Sequence, residues 1–283
     1  MYNLCVYGVS IDMRKAGKSL QVATTAMCTV TYALGAYATS YIESPWGIGQ
    51  FRPAIVIPAV FAILFGPWVG GLGAALGTFI QSIFRYGHPW LTLVSGTPAN
   101  FIGFYMLGRL LHRRFSWTRF VAATVLVLIF ANFICALGVL AYFILFRIFQ
   151  PTLPLGFYIG FTVGLTLWWY ITMLPFALLI TPAVLKACAR VIPSIVPRDV
   201  LEASIRHEIP SGLFTKVLVL SGAAMIAMGI ATFLPQAKVL VVAYRGEVAE
   251  LILNGIKLMF LLTGGVCTSI GIGLEAVKGL IKI

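Results

Sequence analysis

Residues 52–111, RPAIVIPAVFAILFGPWVGGLGAALGTFIQSIFRYGHPWLTLVSGTPANFIGFYMLGRLL, decide the fold. Two apolar stretches meet at Gly66-Pro67, a glycine-rich helix follows, and a polar, aromatic loop then leads into Pro98-Ala99-Asn100-Phe101-Ile102-Gly103-Phe104. Lipid offers no hydrogen-bond partner, so backbone broken at membrane depth must be buried in protein or line a cavity. The stretch therefore reads as part of a membrane-embedded binding site.

The rest of the chain fits that reading. It has 283 residues, 60% hydrophobic and 10% charged, with a mean hydropathy of +0.99. Such a composition describes a polytopic membrane protein without room for a large soluble domain. Apolar runs able to cross about 30 Å of hydrocarbon at roughly 1.5 Å per residue predict helices at about 20–41, 53–68, 69–86, 96–111, 119–149, 156–187, 213–235 and 250–273. The expected fold class is all-α: a six-helix substrate-binding bundle over 15–190, an interfacial cytoplasmic linker helix over 191–212, and two additional C-terminal transmembrane helices over 213–283. In the linker, Asp199 and Glu202 have capping-box spacing, and Leu201, Ile205 and Ile209 share one face.

Lys and Arg set the orientation. With both termini in the cytoplasm, fourteen basic residues lie inside and five outside, Arg52, Arg85, Arg147, Lys238 and Arg245, while Lys257 falls within a span. The net charge of +12 is then explained by topology and anionic lipid, and no contiguous soluble basic face is left for nucleic acid. The expected location is the cell membrane, multi-pass. The loops at 42–52, 85–95 and 150–156 face outward on this reading.

Enzyme signatures are missing. Ala16-Gly17-Lys18-Ser19 resembles the end of a phosphate loop, but Asp12 stands where its first glycine belongs. There is no H-E-x-x-H motif, no Ser/His/Asp set and no carboxylate at the centre of a predicted span, which argues against metal hydrolysis and ion-driven transport. Cysteines 5, 28, 135, 188 and 267 are widely spaced and suggest neither a metal site nor a disulfide framework. The chain is expected to be neither an enzyme nor a cofactor carrier.

What remains is a concentration of amides, hydroxyls and aromatic rings at the outer ends of the first six helices. Candidate substrate-binding residues are Gln50, Arg52, Gln81, Arg85, Trp90, Asn100, Arg147, Tyr158, Thr162 and Trp169, with Trp46, Tyr86, His88, Gln150 and Thr166 nearby. Rings stack on a flat solute while amides fix its orientation. The three outer arginines favour a neutral or anionic solute over a cation.

The order of proline, apolar run, Leu64-Phe65-Gly66-Pro67, glycine-rich helix and Pro98-Ala99-Asn100-Phe101-Ile102-Gly103-Phe104 resembles the S components of energy-coupling factor (ECF) transporters. The resemblance covers about 15–190 and is best over Pro58–Gly77 and Pro98–Gly108; the helices after Gly212 are additional. It implies capture of a vitamin-like micronutrient between the outer loops and the ends of the fourth to sixth helices. It also implies a transmembrane coupling subunit and a pair of cytoplasmic ATPases as partners. Small residues on the first helix would form the docking face, here Thr25, Thr29 and Ala33. Two alternatives come from other classes: an intramembrane lipid-modifying enzyme, and a structural subunit of a larger membrane complex that binds no solute.

Overall fold

The computed structural model describes residues 17–44, 48–112, 114–149, 152–204, 212–235 and 249–281. Helix α1 (Lys18–Ala38) leads through a loop and a 3-10 turn at Pro53–Ile55 into α2 (Val56–Phe65) and α3 (Pro67–Tyr86). After them come α4 (Trp90–Val94), α5 (Gly96–Leu111), α6 (Trp117–Leu145), α7 (Leu155–Val191) and α8 (Arg198–Glu202), and then α9 (Gly212–Ala231) and α10 (Ala249–Ile281). Among the described residues no strand forms, and one isolated antiparallel bridge joins Glu43 to Gln50.

The Gly66-Pro67 pair makes the reversal between α2 and α3. Gly66 has φ 102°, a conformation that costs glycine no Cβ clash. Pro67 opens α3, where its missing N–H would have lacked an intrahelical acceptor in any residue. Small residues on α3 let its neighbours approach: a Cβ added to Gly77 would lie 2.8 Å from the Tyr32 ring of α1. On the other flank, His112 at the end of α5 ties its Nδ1 to the Ile63 carbonyl of α2 at 3.0 Å. Close backbone approach of this kind holds helices together in lipid, where apolar collapse supplies no force between them.

Four described helices contain segments long and apolar enough to cross a membrane: Trp117–Leu145, Leu155–Val191, Gly212–Ala231 and Leu253–Ala276. Over its described residues the chain is thus a nearly all-helical membrane protein with several apolar helices. The remaining expected spans are helical but shorter or richer in Gly and Thr. Helix α2 has 10 residues and α5 has 16, so α5 is about 24 Å long. Helix α7 runs through Pro175 and Pro182, which the neighbouring helices of a membrane bundle accommodate.

In the linker a 3-10 turn at Pro193–Ile195 is followed by the five-residue α8, which ends at Glu202, where the backbone turns extended at Ala203. Pro193 and Pro197 remove two N–H groups and prevent α7 from continuing through them. Asp199 does not cap α8; its Oδ2 accepts the Phe115 N–H at 2.9 Å. The Ala203 carbonyl accepts from Trp117 Nε1 at 3.2 Å and from Lys186 Nζ at 2.9 Å. The segment is a strap across the ends of α6 and α7. Residues Ile205 and Ile209 lie outside the described part of the chain.

Candidate solute-binding site

A cavity of about 330 Å³ opens at the end of the bundle where α3 finishes and α5 begins. Its volume falls in the range of small-molecule sites. The wall combines Ser82 and Tyr86 of α3, Ser95, Gly96 and Asn100 around the start of α5, Asn132, Cys135 and Tyr142 of α6, Trp169 and Met173 of α7, and the loop Ile48–Arg52. Its position follows from one close approach: a Cβ on Gly138 of α6 would lie 2.5 Å from the Val94 carbonyl oxygen and 2.6 Å from Ser95 Cα. Only glycine lets α6 reach the α4–α5 junction and close that side of the cavity.

A polar cluster anchors the loop to α3. Gln50 donates through Nε2 to the Tyr86 hydroxyl at 2.6 Å and accepts at Oε1 from Gln81 Nε2 at 3.2 Å. Arg52 Nη2 donates to Gln50 Oε1 at 3.3 Å and to Gln81 Oε1 at 3.4 Å. Gln81 is fully buried, and amides at such a depth must be hydrogen-bonded to be tolerated. Arg85 is held differently, with Nη2 3.3 Å from Glu43 Oε1 and the guanidinium 4.2 Å from the centre of the Tyr41 ring. Gly49, at φ 92°, brings the loop backbone against Leu165 and Trp169.

The floor carries two amides. Asn100 donates from Nδ2 to Thr78 Oγ1 at 2.6 Å, and Thr78 in turn donates to the Ala74 carbonyl at 2.8 Å. That chain of bonds turns Asn100 Oδ1 away from α3. Across from it, Asn132 is 6% exposed, and its Nδ2 has no hydrogen-bond partner in the protein. Both residues also border a void of about 20 Å³ beneath the floor, lined otherwise by apolar side chains and Thr124. An acceptor and a donor set in an apolar and aromatic surround suit the polar edge of a flat heterocycle.

Of the residues expected from sequence, Gln50, Arg52, Asn100 and Trp169 line the cavity. Gln81 stands behind Gln50 and Arg52 rather than in the wall. Arg85 is engaged with Glu43 and Tyr41. Trp90 is 60% exposed, Arg147 is exposed beyond α6, and Tyr158 and Thr162 lie on α7 outside the lining. They do not join the cavity because α7 meets it two to three turns further along, at Trp169 and Met173. Trp46 and Gln150 are outside the described residues. Asn132, Cys135 and Tyr142 were not among the expected residues. Asn132 was findable, since it is the one side-chain amide in the apolar sequence of α6, the same signal that marks Asn100.

Of the expected docking stripe, Thr29 and Ala33 are buried, with the Thr29 backbone against α3 at Gly77, while Thr25 is half-buried. The exposed side of α1 carries Val22, Ala26, Val30 and Leu34 instead.

A family model described as "ECF-type riboflavin transporter, S component" matches residues 19–162, just over half of the chain. The matched stretch contains the loop, α3, α5 and α6, which make up most of the cavity. No curated protein and no solved structure matches.

Proposed function

We propose, since the chain belongs to the ECF-type riboflavin transporter S component family, that it captures a flavin-type solute in the cavity and presents it for ATP-driven import. As a member of that family it is the substrate-binding subunit of a membrane vitamin transporter and not an enzyme. The observation that carries the solute reading is the floor: Asn100 Oδ1 and the unpartnered Asn132 Nδ2 offer one acceptor and one donor. A flavin's pyrimidine edge presents N–H and C=O groups side by side and can answer both. Trp169, Tyr142 and Tyr86 supply ring faces for the fused aromatic system.

In this reading the termini are cytoplasmic and the cavity opens outward, as the Lys and Arg asymmetry favours. Residues 15–190 form the six-helix binding unit, the linker's described part, residues 192–204, straps its inner end, and α9 and α10 add two further spans. Gln50 and Gln81 position Arg52, while Arg85, Trp90, Arg147, Tyr158 and Thr162 belong to the rim and its support. The coupling subunit docks on the exposed side of α1 at Val22, Ala26 and Val30, and a cytoplasmic ATPase pair drives release. The lipid-enzyme alternative has no catalytic set to stand on.

Mass spectrometry of small molecules released on denaturing the purified protein tests this. A flavin recovered near one per chain is the expected result. A lipid alone, or a non-aromatic metabolite in that stoichiometry, would overturn the flavin reading.

A further inference from the structure

Two arginines stand at the same end of the bundle in opposite electrostatic states. Arg85 has its charge met by Glu43 at 3.3 Å and its face covered by Tyr41. Arg52 is bonded only to the neutral oxygens of Gln50 and Gln81, through one nitrogen and at 3.3 and 3.4 Å. Its Nε is buried without a partner. No Asp or Glu occurs among the residues lining the cavity, and among the described residues no carboxylate pairs with Arg52.

Arg52 is half-buried in the cavity wall with no counter-charge, so its charge is available to an incoming anion. The Gln50–Gln81–Tyr86 cluster spends three side chains on holding this group at the wall. Such an arrangement is a preorganised half-site for an anion. The surroundings agree with it: Arg52 Nη1 lies 4.0 Å from the Cβ position of Gly96, the first residue of α5. That helix end has no side-chain cap, and uncapped N-termini favour negative charge. Along α3, Gln81 is three residues from Thr78, which holds Asn100, so Arg52 sits about one helical turn above the floor.

We propose that the cavity recognises its solute as an anion, with Arg52 clamping a phosphate monoester carried on the flexible side chain of the flavin. The guanidinium attracts phosphate oxygens, and Nη1, beside the start of α5, is the donor left to meet them. The inference rests on the flavin reading above and adds its ionisation state: riboflavin itself is the weaker ligand, and its 5′-phosphate the preferred one.

The test is equilibrium binding of riboflavin and of riboflavin 5′-phosphate to the full-length protein in detergent. The wild type should bind the phosphate about tenfold to a hundredfold more tightly, the range of one charge-assisted bond. Raising salt from low to near-molar concentration should weaken the phosphate ester and leave riboflavin unchanged. Arg52→Gln should abolish the preference, leaving the two compounds with equal affinities, and Arg52→Lys should keep part of it. Equal affinities in the wild type, or a preference for riboflavin, overturn the anion proposal while leaving the flavin reading intact. If Arg52→Gln fails to fold, the wild-type ratio and its salt dependence decide. Binding of neither compound would instead remove the flavin reading.

Discussion

Asn100 donates to Thr78 Oγ1 across the α3–α5 contact at 2.6 Å, so the amide that lines the cavity is oriented by a residue that does not line it. Replacing Asn100 by Leu removes the acceptor offered to solute, and replacing Asn132 by Leu removes the donor. Each should weaken solute binding by about 1–3 kcal/mol, roughly tenfold to a hundredfold. Thr78→Val keeps the shape but frees the Asn100 side chain to rotate, and should cost a smaller part of the same affinity. Titrations of the three variants check this; an Asn100→Leu protein that folds and binds like the wild type would reduce Asn100 to helix packing.

Gly49 fastens the loop over Trp169. A Cβ there would lie 2.8 Å from Leu165 Cδ1, and the residue's φ of 92° is one that other residues adopt at a cost of about 1–3 kcal/mol. Gly49→Val should lift the loop, speed solute dissociation and open residues 42–52 to protease. An unchanged dissociation rate would show that the loop does not retain the solute.

Every described residue lining the cavity lies between Ile48 and Met173, whereas α9 and α10 pack chiefly on each other and on α7. At the α7 contact, Phe260 meets Trp168 edge-on at 5.3 Å. Lys257, which falls within the last expected span, bonds Asn254 at 3.4 Å and covers Phe233 at 4.1 Å, outside the cavity. A chain ending after Ser204 keeps the strap contacts of Asp199 and Ala203 and should bind solute within about threefold of full length, since its polar contacts to solute are unchanged. It should melt at lower temperature. A stable, helical truncation that no longer binds would assign part of the site to α9 or α10.

The helices were legible because long apolar runs, Gly66-Pro67 and the charge asymmetry are local signals. The cavity wall was legible where an amide interrupts such a run, as at Asn100, and in the polar stretch before α2, at Gln50 and Arg52. What sequence could not supply was rotation and depth. Thr29 and Ala33 form a small-residue stripe that serves an inner face as well as an outer one, and only packing against Gly77 of α3 settles which. Tyr158 and Thr162 share a helical face with Trp169, yet the cavity meets that face only further along, at Trp169 and Met173.

Orientation has its own test. In a cysteine-free background, Trp90→Cys should react with a membrane-impermeant thiol reagent in intact cells, and Arg119→Cys should react only after permeabilisation. Both side chains are exposed, so reactivity reports sidedness. The reverse pattern would place the cavity on the cytoplasmic side and contradict a role in uptake.

Fluorescence reports whether the cavity takes a flavin. Protein freed of bound small molecules should quench riboflavin fluorescence saturably, with one site per chain and a Kd tighter than about 1 μM, equivalent to about −8 kcal/mol. Asn132→Leu should weaken that binding tenfold or more. Quenching that rises without saturation, or that is identical in the wild type and Asn132→Leu, would contradict capture of a flavin at this site.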